Sequence, residues 1–435
     1  MLPLGIFLDI YGTSRTRIIA MCCTALGSLT MLFANEVIWL IFPALLMLGI
    51  SGLLVLLTDL QVSNLFGSRR LTTMSTIVGA SFSGGIVIIL MKLTREADVS
   101  LHTSFMLISV GFVPILISTI VMLPRSRIPW PLPVGYGKNR GTELQGTQSV
   151  KGKGWKRRIS DGAKKRCDMM AVLPIMKTRL YMCMVVWFSL MSLKSLVFDL
   201  NIEQNLLNLG VLDSDVTQYM SVYAICSLFC LPLSPCVGLI MDWNRTIAEP
   251  HHIGQMRSIL FATWINYAIS FMSSVFALFP NYHVQVISYI LVAAEKSTFY
   301  ATFLAFITHV HFPGEHFGKL VGVALAVSGF FLVAQHPLKL LVYHGFAQHT
   351  FYMPSIVLIM ILVASCHPIC VWCHCKTGKI NGSVDTFEED KTGTELMIES
   401  HRDTKTDATS SEQLLDLTIE GMTRISRLNI VYNLE

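Results

Sequence analysis

Two stretches of the chain share one pattern: GIFLDIYGTSRTR at residues 5–17 and GLIMDWNR at residues 238–245. In each, an aspartate follows a glycine by four residues, where an apolar run gives way to a loop with arginine. Glycine lets two membrane helices approach closely, and a carboxylate at a helix end can pair with a loop arginine such as Arg15. A membrane protein built of two similar halves would carry such a repeat.

A second repeat supports this interpretation. The motif NLFG at residues 64–67 lies between two apolar runs, and EHFG at residues 315–318 does the same later in the chain. The glycines of this repeat are 251 residues apart, and those of the first repeat are 233 apart. Similar offsets imply two homologous helix bundles. The residues that we expect to form gates at one membrane face are Gly5, Asp9, Arg15, Asn64, Gly67, Gly238 and Asp242.

The composition is that of a membrane protein. Of 435 residues, 52% are hydrophobic and 14% charged, and the mean hydropathy is +0.56. Soluble domains hold about 25% charged residues. Apolar runs long enough to cross a bilayer core of about 30 Å should be helices, because lipid cannot satisfy backbone amides. The predicted complete spans are 18–35, 37–57, 72–93, 104–123, 181–202, 218–240, 258–278, 284–308, 319–340 and 351–372.

The repeat also predicts how the chain is divided. Gly238 ends the second span of its half, so Gly5 should end the second helix of the first half. We therefore expect that the first helix and most of the second are missing. The predicted parts are an N-terminal bundle at 1–123, a basic cytosolic linker at 124–179, a C-terminal bundle at 180–372 and a disordered cytosolic tail at 373–435. Arginines and lysines at alternate span ends set this orientation by the positive-inside rule.

Charged residues inside predicted spans are candidates for a solute pathway, because each is costly in lipid. Glu295 and Lys296 lie mid-span with Tyr300 close by, and we expect them to line the pathway, although a structural ion pair between helices is the alternative. For Lys194 and Asp199 the structural interpretation is favoured. Gln335 precedes Pro337, which should kink its helix. Its amide could bind a planar polar solute.

Other motifs give little support to an enzyme or a metal site. The chain has no Gly-rich phosphate loop, no Gly-x-Ser-x-Gly elbow and no His-Glu-x-x-His, so we expect no catalysis and no cofactor. Cysteines follow the last span at positions 366, 370, 373 and 375, beside His367 and His374. At a membrane border, S-palmitoylation or plain packing is favoured over metal binding.

The chain resembles solute carrier family 43, a branch of the major facilitator superfamily. The residues that carry the resemblance are Gln61 with the NLFG motif, LPLSP at 231–235 leading to Gly238, MDW at 241–243, and Gln335 with Pro337. Residues 101–133 and 312–320 look most like the equilibrative nucleobase transporter branch. The resemblance implies a major facilitator fold of two six-helix bundles.

The resemblance also implies an activity: sodium-independent, facilitative transport of purine nucleobases such as adenine, guanine and hypoxanthine, in the plasma membrane. Glu295, Lys296, Tyr300 and Gln335 would then bind the solute. A neutral amino acid uniporter of the same family is the alternative. A truncated, non-transporting chain that regulates a full-length partner is a third possibility. The expected partners are a small solute and membrane lipid, with no nucleic acid.

Overall fold

The computed structural model describes residues 1–34, 36–121, 128, 172–243, 251–279, 281–308, 314–341 and 352–376. These residues are almost entirely helical and include no strand. Met1–Cys375 forms one compact unit. The predicted disordered tail lies outside the described residues beyond Lys376, as does most of the predicted linker.

The described residues form seventeen α-helices. They are α1 (Leu2–Tyr11), α2 (Thr13–Leu32), α3 (Ile41–Val62), α4 (Arg70–Phe82), α5 (Gly85–Glu96), α6 (Leu101–Val110), α7 (Phe112–Val121), α8 (Leu173–Met176), α9 (Arg179–Asn208), α10 (Asp213–Ser227), α11 (Cys230–Trp243), α12 (His251–Ala277), α13 (Tyr282–Ile307), α14 (Phe317–Val333), α15 (Gln335–Leu340), α16 (Tyr352–Ala364) and α17 (366–376). The short helix α8 lies inside the segment predicted to be an irregular linker.

Within the described residues, eight stretches are long and apolar enough to cross a membrane. The first, Ile38–Glu96, takes in two predicted spans, 37–57 and 72–93. The predicted span 18–35 falls in α2, which is helical but is not among the eight, since its first turns carry arginines and hydroxyl side chains. The prediction of an all-helical, many-span membrane fold is confirmed.

Several spans are broken in the middle. One break separates α10 from α11, where Pro232 has no N–H to donate to the carbonyl of Leu228. A second break at Ala334 separates α14 from α15, three residues before Pro337, as expected for that proline. The third, between α4 and α5, falls at Ser83 and Gly84, a Ser/Gly sequence that weakens a helix.

Aromatic side chains fill the core of the second half. Phe188 of α9 stacks on Phe303 of α13 with ring centroids 3.8 Å apart, and on Phe299 at 5.2 Å. Trp187 meets Phe299 edge-to-face at 5.4 Å. Such pairs add about 0.5–1.5 kcal/mol each beyond the buried area. This packing fixes α9 against α13, the two helices that carry the charged residues described below.

Glycines bring helices of the first half against helices of the second. A methyl group on Gly5 of α1 would overlap the carbonyl oxygen of Gly318 in α14, and one on Gly318 would overlap that of Gly5. In the matching position, a methyl group on Gly238 of α11 would overlap the Cα of Thr72 in α4. The predicted role of both repeat glycines in close helix packing is therefore seen directly.

Gly5→Ala tests the close contact of α1 with α14. We expect the added methyl group to lower the free energy of unfolding by about 1–3 kcal/mol, because the two backbones must separate. The measurement is Tm in thermal unfolding of the detergent-solubilised protein. Gly329→Ala is the control, since its methyl group would meet no described atom within 4 Å. Equal Tm values for the two variants would contradict the contact.

Candidate functional site

A cavity of about 990 Å³ lies between α5 of the first half and α9, α10 and α13 of the second. Apolar side chains form much of its wall, with hydroxyl groups between them. Its charged lining residues are Lys92, Arg95, Asp199 and Lys296. The break between α4 and α5 faces the end of α10 here, because a methyl group on Gly85 would overlap Ser227. The cavity therefore forms where helices of the two halves meet.

Three polar side chains form a cluster on the cavity wall, called here the cavity triad: Asp199 of α9, Tyr223 of α10 and Lys296 of α13. The Lys296 ammonium donates to both carboxylate oxygens of Asp199, each at 2.8 Å, and to Tyr223 Oη at 2.9 Å. The Tyr223 hydroxyl donates to Asp199 Oδ1. The side chains of Asp199 and Lys296 are 35% and 17% exposed. A partly exposed, paired charge can exchange its partner for a solute.

A second ion pair lies next to the triad but inside the protein. Lys194 of α9 pairs with Glu295 of α13, and the two side chains are 3% and 4% exposed. Ser270 and Ser273 of α12 each accept from the Lys194 ammonium at 2.9 Å and donate to Glu295 at 3.0 and 3.1 Å. These hydroxyls satisfy the charges in a site closed to solvent. The geometry is that of a structural ion pair joining three helices.

At the far end of the helices from the triad, Asp9 binds the start of a helix from the other half. Its carboxylate accepts from the backbone N–H groups of Gly318 and Lys319, both at 2.9 Å. These are the second and third residues of α14, whose N–H groups have no partner within the helix. The positive end of the helix dipole adds to the attraction. Gly5 and Gly318 make this approach possible.

Asp242 repeats this contact in the other half. Its carboxylate accepts from the backbone N–H of Thr72 at 2.9 Å and from the Thr72 hydroxyl at 2.7 Å. Thr72 is the third residue of α4, so this carboxylate also binds a helix start. We call these two contacts the carboxylate latches, and the end that they close the latch end.

Comparison with known proteins now identifies the family. Residues 1–334 match the profile described as Major Facilitator Superfamily. The chain belongs to the major facilitator superfamily. Its helices also resemble those of solved transporters: FucP in the outward conformation gives a TM-score of 0.52 at 14% identity, covering 85% of both chains. A bacterial homologue of the iron transporter ferroportin gives a TM-score of 0.50 at 13% identity, covering 85% of this chain and 86% of that one. At these identities the likeness shows the fold alone.

Characterised sequences are similar over most of the chain. "Equilibrative nucleobase transporter 1" of Bos taurus is 28% identical over an alignment of 413 positions that covers 86% of this chain and 81% of that protein. "Large neutral amino acids transporter small subunit 3" of Mus musculus is 22% identical over an alignment of 410 positions that covers 77% of this chain and 72% of that protein. The predicted resemblance to solute carrier family 43 is confirmed, and the family consists of transporters and not enzymes.

In this major facilitator protein, the predicted solute-binding residues do not all lie together. Lys296 lines the cavity, whereas Glu295 pairs with Lys194 inside the second half, as the structural alternative had it. Tyr300 contacts the cavity wall through Phe82, with ring centroids 4.4 Å apart, but the described lining includes neither Tyr300 nor Gln335. Direct solute contact by these two stays a prediction.

The structure and the sequence prediction differ on the partner of the repeat aspartate. The sequence suggested that the repeat aspartate pairs with a loop arginine, but the carboxylate of Asp9 binds the start of α14 and Arg15 is exposed. The neighbouring Arg17 instead pairs with Asp59 and donates to the Thr58 hydroxyl at 3.3 Å. This contact joins α2 to α3 within one half. Asp9 binds a helix start and not an arginine because the close contact of Gly5 with Gly318 brings the first N–H groups of α14 within reach of its carboxylate.

The NLFG motif lies at the latch end. Asn64 Oδ1 accepts from Arg70 Nε at 2.9 Å, and Arg70 Nη2 donates to the carbonyl of Thr308 at the end of α13. Gly67 has a φ of 47°, a left-handed conformation that favours glycine, where the chain turns into α4. Asn64 and Gly67 thus shape the connection that presents α4 to Asp242. A role in gating stays a prediction.

Cysteines on α9 and α17 form no metal site within the described residues. The thiol of Cys183 is in contact with those of Cys366 and Cys370, and Cys366 and Cys373 are exposed. His367 is buried and stacks on Trp187 at 4.9 Å. S-acylation of the exposed thiols stays an open alternative.

Sequence reasoning missed two members of the cavity triad. For Asp199 the sequence favours a structural ion pair between helices over a place on the cavity wall, and Tyr223 is not among the predicted site residues. A carboxylate within an apolar span was a usable signal, because such groups face a cavity or a partner. Tyr223 gave no comparable signal, since its role depends on the packing of α10 beside α9.

Glu295→Gln tests whether this residue is structural. Removing one partner of a buried ion pair leaves Lys194 uncompensated, so we expect the variant to lose about 3–5 kcal/mol of stability. The double variant Lys194→Met with Glu295→Gln removes the stranded charge and should recover much of this loss. The measurement is Tm of each detergent-solubilised variant. A Glu295→Gln variant as stable as the unmodified chain, or a double variant no better than the single one, would rule out this assignment.

Proposed function

We propose that this protein is a facilitative, sodium-independent transporter of purine nucleobases such as adenine, guanine and hypoxanthine, working by alternating access. The observation that carries the proposal is a cavity between helices of the two halves, with a polar cluster on its wall, together with the close contacts between the halves at the latch end. The cavity triad supplies hydrogen-bonding groups for a small polar solute. The carboxylate latches hold the helices of the two halves together at the other end.

The latches suit a carrier because each one is small and reversible. Among the described residues, each carboxylate makes two hydrogen bonds to a helix start, and a charge-assisted hydrogen bond contributes about 1.5–3 kcal/mol. Breaking both latches would free the halves to separate at the latch end and to close over the cavity. An equilibrium of this size can shift in either direction when a solute binds, as alternating access requires.

The basic loops suggest the orientation. Arg15, Arg69 and Arg70 lie at the latch end, and the positive-inside rule places such residues in the cytosol. The cavity then faces outward and the chain beyond α17 lies in the cytosol. We propose the plasma membrane as the site of action, by similarity to the family.

Two observations favour a nucleobase over an amino acid as solute. The similarity to a nucleobase transporter, at 28% identity, exceeds that to the large neutral amino acid transporter, at 22%. Aromatic rings also border the cavity, with Phe82 and Tyr223 both in its wall, and can stack on a planar base. A neutral amino acid remains the second candidate, because Asp199 could bind its ammonium group and Lys92 or Arg95 its carboxylate.

Uptake of labelled adenine into cells that express this chain tests the proposed function. We expect uptake above that of untransfected cells, unchanged when choline replaces sodium, and inhibited by unlabelled hypoxanthine but not by leucine. Uptake of labelled leucine is the matched assay. Leucine uptake that adenine fails to inhibit would overturn the nucleobase assignment in favour of the amino acid. Uptake of neither solute would favour a non-transporting chain.

Asp242→Asn tests the latch end as a gate. An amide accepts hydrogen bonds more weakly than a carboxylate and does not attract the helix dipole, so the state closed at the latch end should be less populated. Ser221→Cys places a thiol in the cavity for labelling by a membrane-impermeant maleimide. Labelling of the chain without Ser221→Cys is subtracted as background. We expect Asp242→Asn to slow the remaining labelling at least threefold.

Glu36→Gln is the control for this measurement. It makes the same chemical change at an exposed position between α2 and α3 and should leave the labelling rate unchanged. A rate unaffected by Asp242→Asn would contradict the gating role of the latch.

A further inference from the structure

The hydrogen-bond donors of the cavity triad are already used within it. An ammonium group has three N–H donors and a phenol has one. Those of Lys296 reach both oxygens of Asp199 and Tyr223 Oη, and the Tyr223 hydroxyl reaches Asp199 Oδ1. Each of these donors therefore has an acceptor among the described residues. A solute that offered only lone pairs to the triad would have to break one of these bonds.

The acceptors of the triad are only partly used. A carboxylate carries about four lone-pair positions on its two oxygens. Asp199 Oδ1 accepts from both Lys296 and Tyr223, whereas Oδ2 accepts from Lys296 alone within the described part of the chain. Asp199 is also the more exposed of the two ionic partners, at 35% against 17% for Lys296. The group that the triad offers to the cavity is thus a negatively charged acceptor.

The rest of the lining complements this acceptor. Ile88, Ile89 and Met220 give the cavity apolar walls, and Lys92 and Arg95 carry donors on α5. The Lys92 ammonium donates to Ser221 at 2.7 Å and lies 3.8 Å from Glu96, one turn further along the same helix. A planar solute can therefore present N–H to Asp199 and lone pairs to the cations.

The nucleobases of the proposed function share few donors. Adenine has an exocyclic amine but no N–H in its six-membered ring. Hypoxanthine has an N–H in its six-membered ring but no exocyclic amine. The N–H of the imidazole ring is common to adenine, guanine and hypoxanthine. Its hydrogen bond to a carboxylate is charge-assisted and so roughly twice as strong as one between neutral groups.

We propose that Asp199 is the specificity-determining residue of the cavity, and that its Oδ2 accepts the imidazole-ring N–H of the transported base. This proposal rests on the proposed function. It requires a free ring N–H, so a base methylated on the imidazole ring should bind poorly even though its shape and apolar area change little. Methylation of the exocyclic amine should be tolerated far better.

Two isomeric methyladenines test this requirement. 9-Methyladenine has no imidazole N–H, whereas N6-methyladenine keeps it and has the same mass. We expect 9-methyladenine to inhibit adenine uptake at least tenfold more weakly than N6-methyladenine does. In Asp199→Asn, the amide offers a donor beside its acceptor and Lys296 loses a charged partner, so the ratio should fall below threefold. Lys92→Gln, which alters the other side of the cavity, should weaken binding of both isomers and keep the ratio.

The same comparison by thermal stabilisation of the purified chain reads binding without transport, and it shows whether Asp199→Asn is folded. Equal inhibition by the two isomers in the unmodified chain, or an unchanged ratio in folded Asp199→Asn, would overturn the role of Asp199 while adenine uptake still supported the proposed function. If leucine binds and adenine does not, the proposed function fails. In that case the N,N,N-trimethyl derivative of leucine, which has no N–H on its ammonium group, tests the acceptor role of Asp199. That role fails too if the derivative binds as well as leucine. Binding of neither adenine nor leucine would overturn both proposals.

Discussion

A carboxylate held at the start of a helix from the other half is the contact on which the closed end of this protein depends. The first N–H groups of a helix lack partners within it, and Asp9 and Asp242 supply partners for α14 and α4. A short aspartate side chain reaches these groups only when the two backbones nearly touch, which Gly5 and Gly238 allow. A residue and the one four positions later share a helix face. The four-residue spacing in both repeats therefore follows from the contact itself.

Charge placement in the second half follows from a similar rule of geometry. Glu295 and Lys296 are neighbours in sequence, but successive residues are about 100° apart around a helix, so they face different surroundings. Glu295 faces α12 and the buried Lys194, and Lys296 faces the cavity and Asp199. Two ion pairs thus connect α9 to α13, with the cation on α9 in one pair and on α13 in the other. One is enclosed by serine hydroxyls inside the bundle; the other is partly exposed in the cavity wall.

The features that depend on repetition and composition could be predicted from the sequence. The ion-pair partner of each charged side chain could not. The twin Gly and Asp residues, the helical membrane fold and the break before Pro337 all follow from local patterns, and the structure contains each of them. The cation that pairs with Asp199 does not follow from a local pattern, because the pairing depends on how α9 is rotated about its axis relative to α13. The same limit explains Arg17, whose carboxylate partner Asp59 lies on a neighbouring helix and carries no signal in the sequence around Arg17. The predicted span at 18–35 lies in a helix, α2, whose polar first turns keep it out of the eight long apolar stretches of the described residues.

The same helices form both the latch end and the cavity wall, so the proposed gating has a direct structural route between them. From Thr72 to Lys92, α4 and α5 extend about 30 Å at 1.5 Å per residue, from the Asp242 latch to the cavity. Between these ends, a methyl group on Gly79 would overlap Ser234, so α4 and α11 also touch midway. Any motion that draws α11 away from Thr72 must pivot about this contact or break it. The breaks between α4 and α5 and between α10 and α11 lie close to it, on the cavity side. A pivot there would move the latch helices outward and the cavity helices inward, so opening one end narrows the other without any further connecting element.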